Sequence, residues 1–193
     1  MKEKKQEKKE QSRVLQVTVT GLMAALVFVA SMIQVPVPIS AGIETRLHLG
    51  NVFCLLAGLL LGPVRGGLAA GVGSFFFDVI NPAYLPSAPF TFLFKFSMGA
   101  ICGKVARLGG HDADCVPLNF GAAAAGSISY VILYTGKGLV ENLLLGMEWA
   151  PALAILATKF GVSAVNGLIA VAVSVPLCLL VRKSLSRSRM AVL

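Results

Sequence analysis

The chain has 193 residues, 56% of them hydrophobic and only 13% charged, with a mean hydropathy of +0.79 and a formal net charge of +8. Soluble domains hold roughly 45–50% apolar residues, so the composition argues against a water-soluble globule and for a membrane protein. At about 20 residues per span, six helices use roughly 120 residues, which fits one bundle and leaves no room for a separate ATPase or catalytic domain.

Residues 1–13, MKEKKQEKKEQSR, read as a solvated tail, disordered or a frayed helix. The basic start and the apolar run after it resemble a signal peptide. Five more apolar runs follow, however, and Pro36 and Pro38 stand where a cleavage site would fall, so an uncleaved first span is expected. The apolar runs cover approximately 14–34, 47–62, 64–80, 90–107, 118–140 and 150–181. They are divided by loops rich in Pro and Gly: 36–42, 62–67, 81–89 and 108–117. This predicts an all-α integral membrane protein with a six-helix transmembrane domain at 14–182 and a basic C-terminal tail at 183–193. Spans two and three are short for a bilayer. Cys54, Cys102, Cys115 and Cys178 form no C-x-x-C pair, and three lie in apolar runs, so they read as packing residues.

Orientation follows from the cations. Thirteen of the seventeen fall on one side when loops alternate: six in the N-terminal tail, Arg65, Lys104, Arg107, and Arg182, Lys183, Arg187 and Arg189. Both termini are therefore expected in the cytoplasm. The other four are Arg46, Lys95, Lys137 and Lys159.

Small residues recur at four-residue spacing in Gly58/Gly62, Gly67/Gly71 and Gly99/Gly103, as helices that approach closely in lipid require. Internal packing explains these three pairs. Gly21 and Ala25 on span one would serve equally for an external protein partner.

A charge at bilayer depth costs on the order of 3 kcal/mol, so such groups usually face a cavity or a partner. Lys95 lies about one and a half turns below the outer loop, Lys159 at a similar depth on span six, and Asn166 two turns deeper. Tyr130 and Tyr134 share a helix face that Lys137 continues. Together these groups suggest a polar pocket in the outer half of the bundle, with rings for a flat solute and cations for its polar edge. Lys137 reads equally as a snorkelling residue. Asp78 is a candidate counter-ion of Lys95. Glu141 and Glu148 are further acids near the pocket, able to offset the three lysines that would otherwise suit a carboxylate- or phosphate-bearing solute. The stretch 36–48, with Glu44, Arg46 and His48, reads as a lid over the pocket or as a loop among lipid head groups. His48 and His111 fall on opposite sides, too far apart for one metal site.

No phosphate-binding Gly-x-x-x-x-Gly-Lys-Ser/Thr loop, His-Glu-x-x-His or Gly-x-Ser-x-Gly elbow occurs, so an enzyme reading finds no residues. No cofactor is expected. The basic charge lies beside spans without aromatic interleaving, which argues against nucleic acid.

The stretch Leu47-His-Leu-Gly-Asn51 through Gly62-Pro-Val-Arg-Gly-Gly-Leu-Ala-Ala-Gly-Val-Gly-Ser74, with Asp78 and Pro89-Phe-Thr-Phe-Leu-Phe-Lys95-x-x-Met-Gly99, resembles the substrate-binding S components of energy-coupling factor (ECF) vitamin transporters, in particular the riboflavin-type group. The resemblance implies a prokaryotic cell-membrane protein. It would take a water-soluble vitamin or precursor in a site formed by the first loop and spans four to six. Lys95, Tyr130, Tyr134, Lys159, Asn166, Arg46, Asn51 and Asp78 are the candidate binding residues. The implied partners are a transmembrane T component and two ATPases, which drive transport by toppling the S component in the bilayer. Gly21 and Ala25 would meet the T component. A membrane scaffold or an autonomous secondary carrier are the other readings, although no internal repeat supports the carrier.

Overall fold

Six α-helices and one β-hairpin account for most of the residues that the computed structural model describes, 2–40 and 43–187. In chain order they are α1 (Lys2–Met32), β1 (Gln34–Ser40), β2 (Ile43–His48), α2 (Gly50–Leu61), α3 (Pro63–Val79), α4 (Ala88–Val105), α5 (Val116–Leu144) and α6 (Trp149–Arg187).

α1 runs through the charged tail without a break, as its Lys, Glu and Gln residues allow. β1 and β2 form an antiparallel hairpin with Gln34 opposite His48, Val35 opposite Leu47 and Pro36 opposite Arg46. Pro36 and Pro38 are tolerated because a two-stranded sheet has only edges. The stretch expected to be irregular is thus regular. Its alternation of Val and Ile with Pro and polar residues suits a strand, and no helix can form across those prolines.

α2 and α3 are joined by Gly62 alone. Its φ of 83° is a left-handed turn that glycine adopts freely, and Pro63 starts the next helix with φ already set. Eleven of the twelve α2 residues are buried, the mark of a helix enclosed on all sides. Its length of about 18 Å is short of a hydrocarbon core of about 30 Å. Among the described residues three helices are long and apolar enough to cross a membrane: α1 from Glu10, α5 and α6.

The paired glycines let α2, α3 and α4 touch backbone to backbone. A Cβ on Gly58 would stand 2.5 Å from the Gly99 carbonyl oxygen, and one on Gly103 would stand 2.6 Å from the Gly62 carbonyl carbon. Gly67 and Gly71 are covered by Phe96 and Phe92 of α4. At Gly21, by contrast, nothing lies within 4 Å, and Ala25 is exposed beside it.

Burial is inverted relative to a water-soluble protein. Leu22, Ile128, Ile132 and Leu168 are exposed, whereas Asp78, Lys95, Asn119 and Ser174 are buried. In lipid this arrangement is favourable, since apolar side chains meet hydrocarbon and polar ones find partners inside.

Candidate functional site

A cavity of about 510 Å³ lies at the hairpin end of the bundle, walled by the hairpin, the connection from α3 to α4, and α3 to α6. That volume is in the range of small-molecule sites. Each wall supplies polar groups, beginning with Arg46.

The Arg46 guanidinium donates to the Asp78 carboxylate at 3.0 Å and to Gln34 Oε1 at 3.4 Å. It also lies over the rings of Tyr84, 3.6 Å from the centroid, and Phe77, at 4.8 Å. In the β1–β2 register Arg46 stands opposite Pro36, and it lines the cavity. Asp78, at the end of α3, is 2% exposed. Its partner is therefore Arg46, and the pairing of Asp78 with Lys95 expected from sequence does not form. The reason is the hairpin, which carries a guanidinium to Asp78 from outside the helical bundle.

Lys95, also 2% exposed, donates to the Asn51 side-chain oxygen and holds its ammonium 3.7 Å from the centroid of the Tyr130 ring. A cation over a ring face is favourable once water is excluded. Tyr130 stacks on Tyr134, with centroids 5.7 Å apart at an interplanar angle of 15°, as the four-residue spacing on α5 requires. Tyr134 reaches back to the hairpin, its hydroxyl 3.4 Å from Thr45 Oγ1.

Lys137 forms an ion pair with Glu141 at 2.6 Å and donates to Ser87 Oγ at 2.9 Å. Its ammonium has both partners, and the residue lines the cavity. Lys159 on α6 lines the cavity half-buried, and a Cβ on Gly138 would stand 3.4 Å from its ammonium nitrogen. Ser163 and Asn166 continue the α6 wall.

Tyr84 donates its hydroxyl proton to Glu44, tying the hairpin to the α3–α4 connection. Burial, and then the adjoining carboxylate, push this hydroxyl above its ordinary range, so it stays a donor at neutral pH. Tyr84 and Thr45 are among the cavity residues that sequence reasoning passed over. The Asn-Pro-x-Tyr-x-Pro run had marked a loop, and only the hairpin's position turns that loop into a wall.

Of the residues singled out in advance, Arg46, Asp78, Lys95, Tyr130, Tyr134, Lys159 and Asn166 line this one cavity. Asn51 is buried and joined to it through Lys95. Gly21 and Ala25 lie on the outward face of α1. His48 lines the cavity, while His111 sits in the loop after α4, 3.0 Å from Asp114. Among the described residues no group of three His, Cys, Asp or Glu side chains is placed to hold a metal ion.

A cavity of this size with convergent polar groups and stacked rings suits a small molecule. Comparison with known proteins agrees in kind. The family model for the S component of ECF-type riboflavin transporters matches residues 11–183. An uncharacterised protein in the gap 3′ region of Pyrococcus woesei is 37% identical over 79 residues, 41% of this chain and 50% of that protein, so the chain spans half the length of this relative. Among solved structures, the S component for biotin from an ECF-type ABC transporter is similar with a TM-score of 0.64 at 18% identity, over 90% of this chain and 93% of that one. The S component of a bacterial ECF transporter follows with 0.59 at 20% identity, over 89% and 95%. These neighbours share the fold. With most of its length matched by the family model, the chain belongs to the S components of the ECF-type riboflavin transporter family.

Proposed function

We propose that this protein captures a water-soluble vitamin or vitamin precursor at the outer face of the cell membrane and delivers it inward with a T component and two ATPases. The observation that carries this reading is the cavity itself, in which Arg46, Lys95, Tyr130, Tyr134, Lys159 and Asn166 from separate elements line one vitamin-sized space at one end of an otherwise apolar bundle. The helices end in six bilayer passes with both termini cytoplasmic, a topology supported by the side on which thirteen cations fall. The hairpin covers the cavity and is the element that must move for a solute to enter. Gly21 and Ala25, exposed and small, are the surface for the T component, since nothing within the chain packs over Gly21.

The test is purification of the chain from its native membrane under mild detergent. The expected result is a small molecule of vitamin size, identified by mass spectrometry after denaturation, together with a T component in the same fraction. A preparation holding neither overturns the transport reading and favours a membrane scaffold.

A further inference from the structure

The charges around the cavity do not cancel, and the residue that remains unmatched is the most deeply buried cation. Asp78 is taken by Arg46 at 3.0 Å and Glu141 by Lys137 at 2.6 Å. Glu44 accepts from the Tyr84 hydroxyl. Among the described residues, neither Lys95 nor Lys159 has a carboxylate within ion-pairing distance. The direct contacts of the Lys95 ammonium are neutral, the Asn51 side-chain oxygen and the face of Tyr130, with the Arg46–Asp78 pair further off. A buried ammonium with neutral partners gains part of what it lost on leaving water, and a full anion gains it the rest. The same region holds a further unspent group: the buried Nδ1 of cavity-lining His48 has no hydrogen-bond partner.

The aromatic pair stands against this cation. The Lys95 ammonium occupies the Tyr130 ring, and Tyr130 is stacked on Tyr134, so an incoming ring meets the stack at Tyr134. Lys159 approaches from α6, across from α5. We propose that the solute of this cavity is an aromatic anion, its ring laid on Tyr134 and its carboxylate or phosphate received by Lys95 and Lys159. This rests on the receptor reading above and sharpens it to a substrate class. A neutral flat solute would use the rings and leave both ammonium groups without a counter-charge, so the acid form is selected over its neutral analogue.

The experiment titrates the full chain in lipid nanodiscs, by calorimetry at pH 7, with matched pairs: nicotinate and nicotinamide, 4-aminobenzoate and 4-aminobenzamide, riboflavin 5′-phosphate and riboflavin, pyridoxine 5′-phosphate and pyridoxine. In parallel, any molecule retained through purification is released and its charge at pH 7 determined. The expected result is binding of an acid member at least tenfold tighter than its neutral partner, or a retained molecule that is both aromatic and anionic; a retained anion without an aromatic ring overturns the ring assignment to Tyr134. The first two pairs and the last two separate carboxylate from phosphate. Lys159→Gln, at a half-buried position, should shrink the ratio of acid to neutral affinity at least fivefold. Lys95→Gln repeats the test at the buried position. A neutral member that binds as tightly as its acid, or a neutral or cationic retained molecule, overturns the anion proposal and leaves the receptor reading intact. No binding and no retained molecule removes both.

Discussion

Arg46 sits where three elements meet, and its chemistry shows how one residue can be identified in sequence while its partner is not. Its place outside the pattern of cytoplasmic cations marked it as unusual, and it lines the cavity. That it would reach Asp78 depended on the β1–β2 hairpin, which sets Arg46 opposite Pro36; in sequence Asp78 was a candidate counter-ion of Lys95. Removing one member of a buried ion pair leaves an uncompensated charge, a loss of about 3–5 kcal/mol, whereas removing both costs far less. Arg46 retains 20% exposure, which places the loss toward or below the lower end of that range. Arg46→Ala is therefore expected to unfold in detergent at a lower temperature than the Arg46→Ala/Asp78→Ala double variant. A double variant whose loss equals the sum of the two single losses would show that the pair is not coupled. The chemistry of Lys95 was legible for a simpler reason: a charge inside an apolar run has to be explained by something in the bundle, wherever that turns out to be.

At the scale of elements, the small-residue spacing was informative about which helices approach closely and silent about which faces meet. Gly58 of α2 faces Gly99 of α4, and Gly99 in turn faces Gly66 of α3, so one glycine serves two neighbours. That arrangement could not be read from pairs on single helices. The hairpin was missed because Pro-rich stretches usually mean loops; two adjacent edge strands are the exception that a two-stranded sheet permits. The two kinds of stripe should respond differently to enlargement. A Cβ on Gly99 would stand 2.8 Å from the Gly66 carbonyl oxygen, backbone that cannot rotate aside. Overpacking typically costs 1–3 kcal/mol, so Gly99→Val is expected to lower the unfolding temperature in detergent and the yield of monodisperse protein. Gly21→Val meets open space, and it should keep wild-type stability and solute retention while the T component is lost from the purified fraction. Equal loss of stability in both variants would place Gly21 in the folding core and remove its assignment to a partner.

The whole molecule is polarised along its axis. One end holds the hairpin, Tyr84, Lys137 and the cavity; the other brings together the α2 C-terminus, the end of α4, the following loop and α6. There Arg107 donates to the carbonyl oxygens of Gly58, Leu59 and Leu60, capping the C-terminal turn of α2, where Gly58 also accepts from the Gly62 N–H. Asp112 accepts from both Arg107, at 3.1 Å, and Arg182, at 3.4 Å. Two cations counted in sequence as markers of the cytoplasmic side are thus also structural, holding a short central helix and the end of α6 together. This double role does not weaken the orientation, because Arg65 and the tail cations agree with it independently. It does mean that charge removal there would test stability and topology at once, so the orientation is better probed by labelling. In a Cys115→Ser background, whose remaining cysteines Cys54, Cys102 and Cys178 are buried, Pro86→Cys lies in the connection beside the cavity and Leu108→Cys, at an exposed uncharged position, in the loop at the opposite end. A membrane-impermeant maleimide added to intact cells is expected to label the first and to reach the second only after permeabilisation. Labelling of Leu108→Cys in intact cells would invert the bundle and place the cavity on the cytoplasmic side, where it could not capture an external solute.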